Sequence, residues 1–234
     1  MARGVHGCRV MSGSRLTALL LALTITTGLI DAVSVLGLGR VFTANMTGNI
    51  VFWGFAIAGV PAFSQSRALA ALAAFLVGAV IGGRLGARLD GSPRRWLFTV
   101  GVVESSVLFA AALAARGYDR EALAPVARLY SLITLTAVAM GIRNATVRRL
   151  AVPDLTTTVL TLTLTGLGAD SWLAGGNNPR WGRRVASVAA MLGGAIVGAM
   201  LVVSVGLAWP LALSGTLTLL ATLAYVAPPT VAGR

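Results

Sequence analysis

Runs of about 20 residues with almost no charge recur along this chain, and no other feature constrains its fold as much. A helix of that length, rising 1.5 Å per residue, crosses about 30 Å of hydrocarbon. The composition agrees: 56% of the residues are apolar and only 11% are charged, about half the charge of a soluble domain. The expected class is an all-α, polytopic membrane protein embedded in the lipid bilayer.

Six strong spans are predicted, over residues 16–38, 68–89, 96–115, 127–145, 185–208 and 211–226. Two further segments, 41–60 and 155–173, are apolar enough to lie within the membrane but unusually polar for it. The pieces between them are short, so residues 16–228 form one integral domain between a tail at 1–15 and a tail at 229–234. The first 35 residues mimic a signal peptide, but their apolar run is long and more spans follow, so it is taken as a retained first span.

The net charge of +12 does not indicate nucleic acid, because all 19 basic residues are arginines that lie mostly between or at the ends of apolar runs. There they set orientation. If both polar segments crossed, giving eight spans, the arginines would divide 11 to 8 across the membrane. If neither crosses, 14 lie on the side of the N-terminus, leaving Arg40, Arg67, Arg116, Arg120 and Arg128 opposite. The positive-inside rule therefore favours six full spans plus two short polar intramembrane helices, with the N-terminus cytoplasmic. Eight spans is the alternative.

An internal two-fold repeat is expected from paired motifs. "GLIDA" at 28–32 is matched by "GIRNA" at 141–145, and "GAVIG" at 78–82 by "GAIVG" at 194–198, with threonine-rich stretches after the first motif of each pair. The halves are approximately 16–115 and 127–228. With three spans in each, the second half enters the membrane in the opposite direction, the plan of many secondary transporters.

The segment "VFTANMTGNIVFW" places Thr43, Asn45, Thr47 and Asn49 at alternate positions. Read as a helix, it carries Thr43 over Thr47 and Asn45 over Asn49, making one polar face that would line a protected cavity, with Gly48 allowing a close approach or a break. Thr156, Thr157, Thr161, Thr163 and Thr165 suggest the same for the second segment. Rows of threonine and asparagine also join helices to one another, which is the competing reading.

Only Asp31 and Glu104 are acidic within the six strong spans. An ionised carboxylate at such depth costs several kcal/mol unless it is paired, so both are candidates for proton or cation handling; pairing with Arg143 is the plainer role for Glu104. Asn144 stands where the repeat would place a second Asp31. Gly78 and Gly82, like Gly194 and Gly198, are spaced four apart and, with Gly28 and Gly141, are expected to let helices approach closely.

Soluble-type enzymology has no support. Cys8 and His6 are single, which excludes an intramolecular disulfide and a multi-ligand metal site, and no phosphate-binding loop with a lysine is present. No cofactor or metal is expected, and no enzymatic activity.

The same residues carry a family resemblance. Gly28, Asp31 and Ala32, then "FTANMTGN" with Phe42, Met46 and the polar residues above, and later Gly141, Asn144, Ala145, Arg148, Arg149, Thr156 and Thr157, resemble the YoaK-like bacterial integral membrane proteins, a family defined as a domain of unknown function. The resemblance covers residues 15–228 and implies a multi-pass architecture without assigning a substrate; a homodimer is a candidate assembly. The expected function is transport of a small solute or ion, with proton coupling as an option and a pathway lined by Asp31, Thr43, Asn45, Thr47, Asn49, Glu104, Asn144 and Thr157. The alternative is a non-transporting membrane scaffold or accessory subunit.

Overall fold

Each long apolar run becomes a helix whose ends fall at the sequence's own punctuation. The structure, a computed structural model, describes residues 13–158 and 160–227. Residues 1–12 of the first expected tail, with His6 and Cys8, and the second tail at 229–234 lie outside the described residues, whereas Ser14 and Arg15 begin α1. The described chain is helical: α1 Ser14–Gly37, α2 Met46–Ile57, α3 Gln65–Arg88, α4 Pro93–Ala114, α5 Val126–Leu150, α6 Thr161–Ala169, α7 Trp181–Val205 and α8 Ala208–Val226, with a 3₁₀ turn at Trp172–Ala174. Ser64 caps α3 by accepting the Arg67 N–H, and Pro93 occupies the first turn of α4, where its missing N–H costs nothing. Helix α5 follows Pro125 and stops at Ala151, which is left-handed at φ 49°.

Six of these helices are long and apolar enough to span a bilayer. The other two have 12 and 9 residues, about 18 and 14 Å at 1.5 Å per residue, too short to cross. The architecture is therefore six spans with two short helices, and eight full spans is not adopted. Contacts agree with alternating spans. At one end, Arg15 donates to the Ala227 carbonyl (3.2 Å), and Arg149 pairs with Asp90. At the other, Tyr118 donates to the Gly37 carbonyl (2.9 Å) and Tyr130 to Ser66 (2.7 Å). The first end is the arginine-rich face.

The helices pack through glycines. Helices α1 and α7 run parallel, with Gly28 against Met191–Ala195, Gly194 against Ile25 and Gly198 against Leu29. Helices α3 and α5 do the same, with Gly141 against Phe75–Ala79, Gly78 against Val138 and Gly82 against Ile142. The two sets differ by 113 residues for α1 and α5 and by 116 for α3 and α7. Helices α4 and α8 cross antiparallel, Gly101 lying on Thr222 and Gly215 on Phe109. Helices α1 and α5 are central, whereas α3 and α7 turn large apolar side chains outward, among them Leu76, Val77, Met200 and Val203. Such a surface suits lipid.

The polar face expected over residues 43–49 takes another form. Helix α2 starts only at Met46, with Asn45 extended before it, so Thr43 belongs to the irregular approach and not to a helix turn. Likewise Thr156 and Thr157 precede α6. Short polar side chains compete for nearby backbone groups and favour such entries over helix interiors.

A Cβ at Gly141 would overlap the Phe75 carbonyl, whereas Gly83 and Gly193 have open space around them. Gly141→Val should lower the melting temperature in detergent, by the equivalent of about 1–3 kcal/mol or more. Gly83→Ala and Gly193→Ala should stay within about 1 kcal/mol of the parent.

Candidate functional site

Arg143 lies at the centre of the bundle, 1% exposed, with Glu104 beside it at 2%. A guanidinium has five N–H donors in a fixed fork, and each of the five has an acceptor here. Nε donates to Glu104 Oε1 (2.8 Å), Nη1 to the Leu23 carbonyl and Thr27 Oγ1 (2.9 Å each), and Nη2 to Thr218 Oγ1 (3.1 Å) and again to Glu104 Oε1. One side chain from α5 thus holds α1, α4 and α8. The cavity beside the pair is about 20 Å³, room for about one water. Glu104 is a structural counter-ion in this geometry, the plainer of its two expected roles.

The first polar segment is closed by its own residues. Asn49 is fully buried, accepts the Phe42 N–H at 2.9 Å and donates to the Phe42 carbonyl at 2.5 Å. It clips the entry of α2 to its first turns, and Gly48 gives room for the Phe42 ring. Phe42, Phe52, Phe55 and Phe63 stack beside it, with centroids 4.7–6.4 Å apart. Asn45 is half-buried and Thr47 exposed, so the four polar residues do not converge. Thr43 is fully buried with its hydroxyl unpartnered.

The second polar segment is built differently. Asn144 donates to the Met140 carbonyl (2.8 Å) and accepts from Thr158 (2.7 Å). Together they floor a cavity of about 640 Å³ that reaches Arg148, Asp154 and the start of α6 at Leu162 and Thr163. That volume is within the range of about 300–1,000 Å³ usual for ligand sites. Thr157, next to the cavity residues, is fully buried with no partner for its hydroxyl and sits at φ 60°, a rare conformation for a β-branched residue.

Asp154 anchors this region. Arg180 Nε approaches one carboxylate oxygen at 2.7 Å and Arg184 Nε the other at 3.0 Å, with Arg183 at 3.6 Å. Arg184 also donates to the Gly166 carbonyl at 2.5 Å and Asp170 at 2.6 Å, fastening α6 to α7. Burial pushes the Asp154 carboxyl up, but the hydrogen bond from Arg184 and the charges of Arg180 and Arg184 together hold it below its ordinary range. The lock is therefore formed at neutral pH and is lost only as pH falls through that lowered value.

Asp31 and Asn144 do not share one site. Each lies six residues before the end of its helix, about 9 Å from it, and α1 and α5 run in opposite directions. They therefore lie on opposite sides of the midplane. Asp31 is half-buried, and its Oδ1 is buried without a hydrogen-bond partner.

Sequence reasoning named Arg143 only as a partner for Glu104 and assigned no part to Asp154, Thr158 or Arg184. The first was available from charge balance, since an arginine inside a span requires a counter-ion. The others fall in stretches that look like loop punctuation.

Replacing Glu104 by Gln leaves the Arg143 charge uncompensated and should destabilise the protein by about 3–5 kcal/mol. Glu104→Leu with Arg143→Met should lose less than the sum of the two single changes. Thermal unfolding in detergent, run as a double-mutant cycle, measures the difference.

A family model described as "Protein of unknown function (DUF1275)" matches residues 19–224. The UPF0700 transmembrane protein YoaK of Bacillus subtilis (strain 168) is 36% identical over 155 residues, an alignment that spans 65% of each chain. No solved structure matches. With six membrane-spanning helices and a family match over most of its length, the chain belongs to the DUF1275 family of YoaK-like membrane proteins.

Proposed function

We propose that this protein is a secondary transporter of a small polar solute, without enzymatic activity, built from two inverted halves in the bacterial inner membrane with its N-terminus cytoplasmic. The single observation that carries this reading is the cavity of about 640 Å³ at the arginine-rich end of α5, lined by Asn144, Thr158, Arg148 and Asp154. Lipid-facing surfaces have no use for such polar groups, and helix packing needs no cavity of that size.

Duplication is supported by the matched glycine contacts, in which α1 on α7 repeats α5 on α3. Arg40 and Asp154, 114 residues apart, are both left-handed, at φ 58° and 65°. The short α2 and α6 then occupy equivalent places in opposite leaflets, and the two differ: the Asn49 clip and the phenylalanine stack close the first, whereas the second borders the cavity. On an alternating-access scheme this is an inward-open arrangement. Asp31, with an unpartnered buried oxygen, is the group proposed to bind a proton. The scaffold reading draws its support from Asn49 and Glu104, whose side chains serve only the fold.

Two cysteines in a Cys8→Ser background test the topology and the cavity together. Ser64→Cys should react with an impermeant maleimide in intact cells, and Asn144→Cys only in inside-out vesicles. A protected Asn144→Cys on both sides means a sealed bundle and favours the scaffold. Proton binding is read from the same Asn144→Cys protein. Its labelling rate, corrected for thiol ionisation with a reference peptide, should depend on pH, and Asp31→Asn should flatten that dependence. An unchanged profile removes Asp31 from the coupling step.

A further inference from the structure

The solute's charge can be read from what lines the cavity. Arg149 is engaged on α5, pairing with Asp90 and stacking over Trp96 at 5.5 Å. Arg148, the preceding residue, lies about 100° away round the helix and lines the cavity. Among the described residues it has no acidic partner within salt-bridge distance. The cavity's carboxylate, Asp154, has both oxygens occupied by Arg180 and Arg184, so it does not neutralise Arg148. Asp170 is held by Arg184 in the same way. Of these charged groups only Arg148 and Asp154 line the cavity; counted with the ion-pair partners behind Asp154, two carboxylates, Asp154 and Asp170, stand against four guanidiniums, those of residues 148, 180, 183 and 184. The first turn of α6, through Leu162 and Thr163, brings the positive end of a helix dipole to the same space.

Resting on the transporter reading, we infer that the cavity binds a small soluble anion carrying a carboxylate or a phosphate, with Arg148 as its counter-charge. The guanidinium fork meets such a group through two parallel hydrogen bonds, while Asn144 and Thr158 contact its polar remainder at the floor. A cationic solute would meet an uncompensated guanidinium at the same point. Arg148 is exposed near the end of α5 and lines the cavity together with Asn144, which lies one turn deeper on the same helix.

Charge-selective modification tests this without knowing the solute. Full-length Cys8→Ser, Asn144→Cys protein in phosphatidylcholine nanodiscs is reacted with sulfonatoethyl and trimethylammonioethyl methanethiosulfonates. Each rate is divided by that of the same reagent on a free thiol. The anionic reagent should be favoured at least about ten-fold, and inorganic phosphate or succinate should slow it more than chloride of equal ionic strength. Arg148→Gln should remove both effects. Leu162→Cys, on the exposed start of α6, repeats the measurement should Asn144→Cys fail to fold.

Preference for the cationic reagent, or an anionic preference that survives Arg148→Gln, overturns the anion assignment while leaving the cavity standing. Blockade by phosphatidylglycerol in the nanodisc, with none by phosphate or succinate, makes this a lipid-headgroup site and also overturns it. No reaction with either reagent at either position removes the cavity, and with it the transporter reading.

Discussion

One buried guanidinium organises the centre of this protein. In hydrocarbon an arginine is tolerated only where its charge and all its N–H groups are answered by protein, and Arg143 meets that condition through three other helices at once. Because α1 and α5 are the central helices, the same contacts fix how the two halves of the chain meet. Glu104 supplies the charge; Thr27, Thr218 and the Leu23 carbonyl supply the remaining acceptors. Removing any one of them leaves a donor dependent on the single water that the adjoining space can hold. The arrangement specifies one packing more than it adds stability, as expected for ion pairs far from water.

The glycines act by the opposite means. Arg143 allows one geometry through directed bonds, whereas Gly28, Gly78, Gly141 and Gly194 set helix separation by removing side chains. Backbones then approach closely enough for dispersion to hold them where no hydrophobic force acts between helices in lipid. The peripheral α3 and α7 rely on this contact, which leaves their outer faces free for lipid.

Much of this was legible in the sequence, for physical reasons. Twenty uncharged residues have one use in a bilayer, so the six spans were readable to within a few residues, and small residues four apart announced the close contacts. Where side chains can bond their own backbone, the pattern misled. Periodicity made Thr43, Asn45, Thr47 and Asn49 a helical face, yet Asn49 turns to the Phe42 peptide and α2 begins at Met46. The lock of Asp154 on Arg180 and Arg184 was also out of reach, because its partners are 26 and 30 residues apart and join only after α6 folds back. A carboxylate in "AVPD" looks like a turn until its partners are known.

The deepest asymmetry lies at the pair Asp31 and Asn144. An amide can donate and accept, and Asn144 does both, using Met140 and Thr158. Asp31, a carboxylate, can only accept until it is protonated, and its Oδ1 is buried without a partner. On the transporter proposed above, side chains that were equal in the two halves would favour the open and closed forms equally. The Asn49 clip at the first segment and the Asp154 lock beside the cavity would then bias which face is open, and protonation of Asp31 is the change proposed to shift that bias.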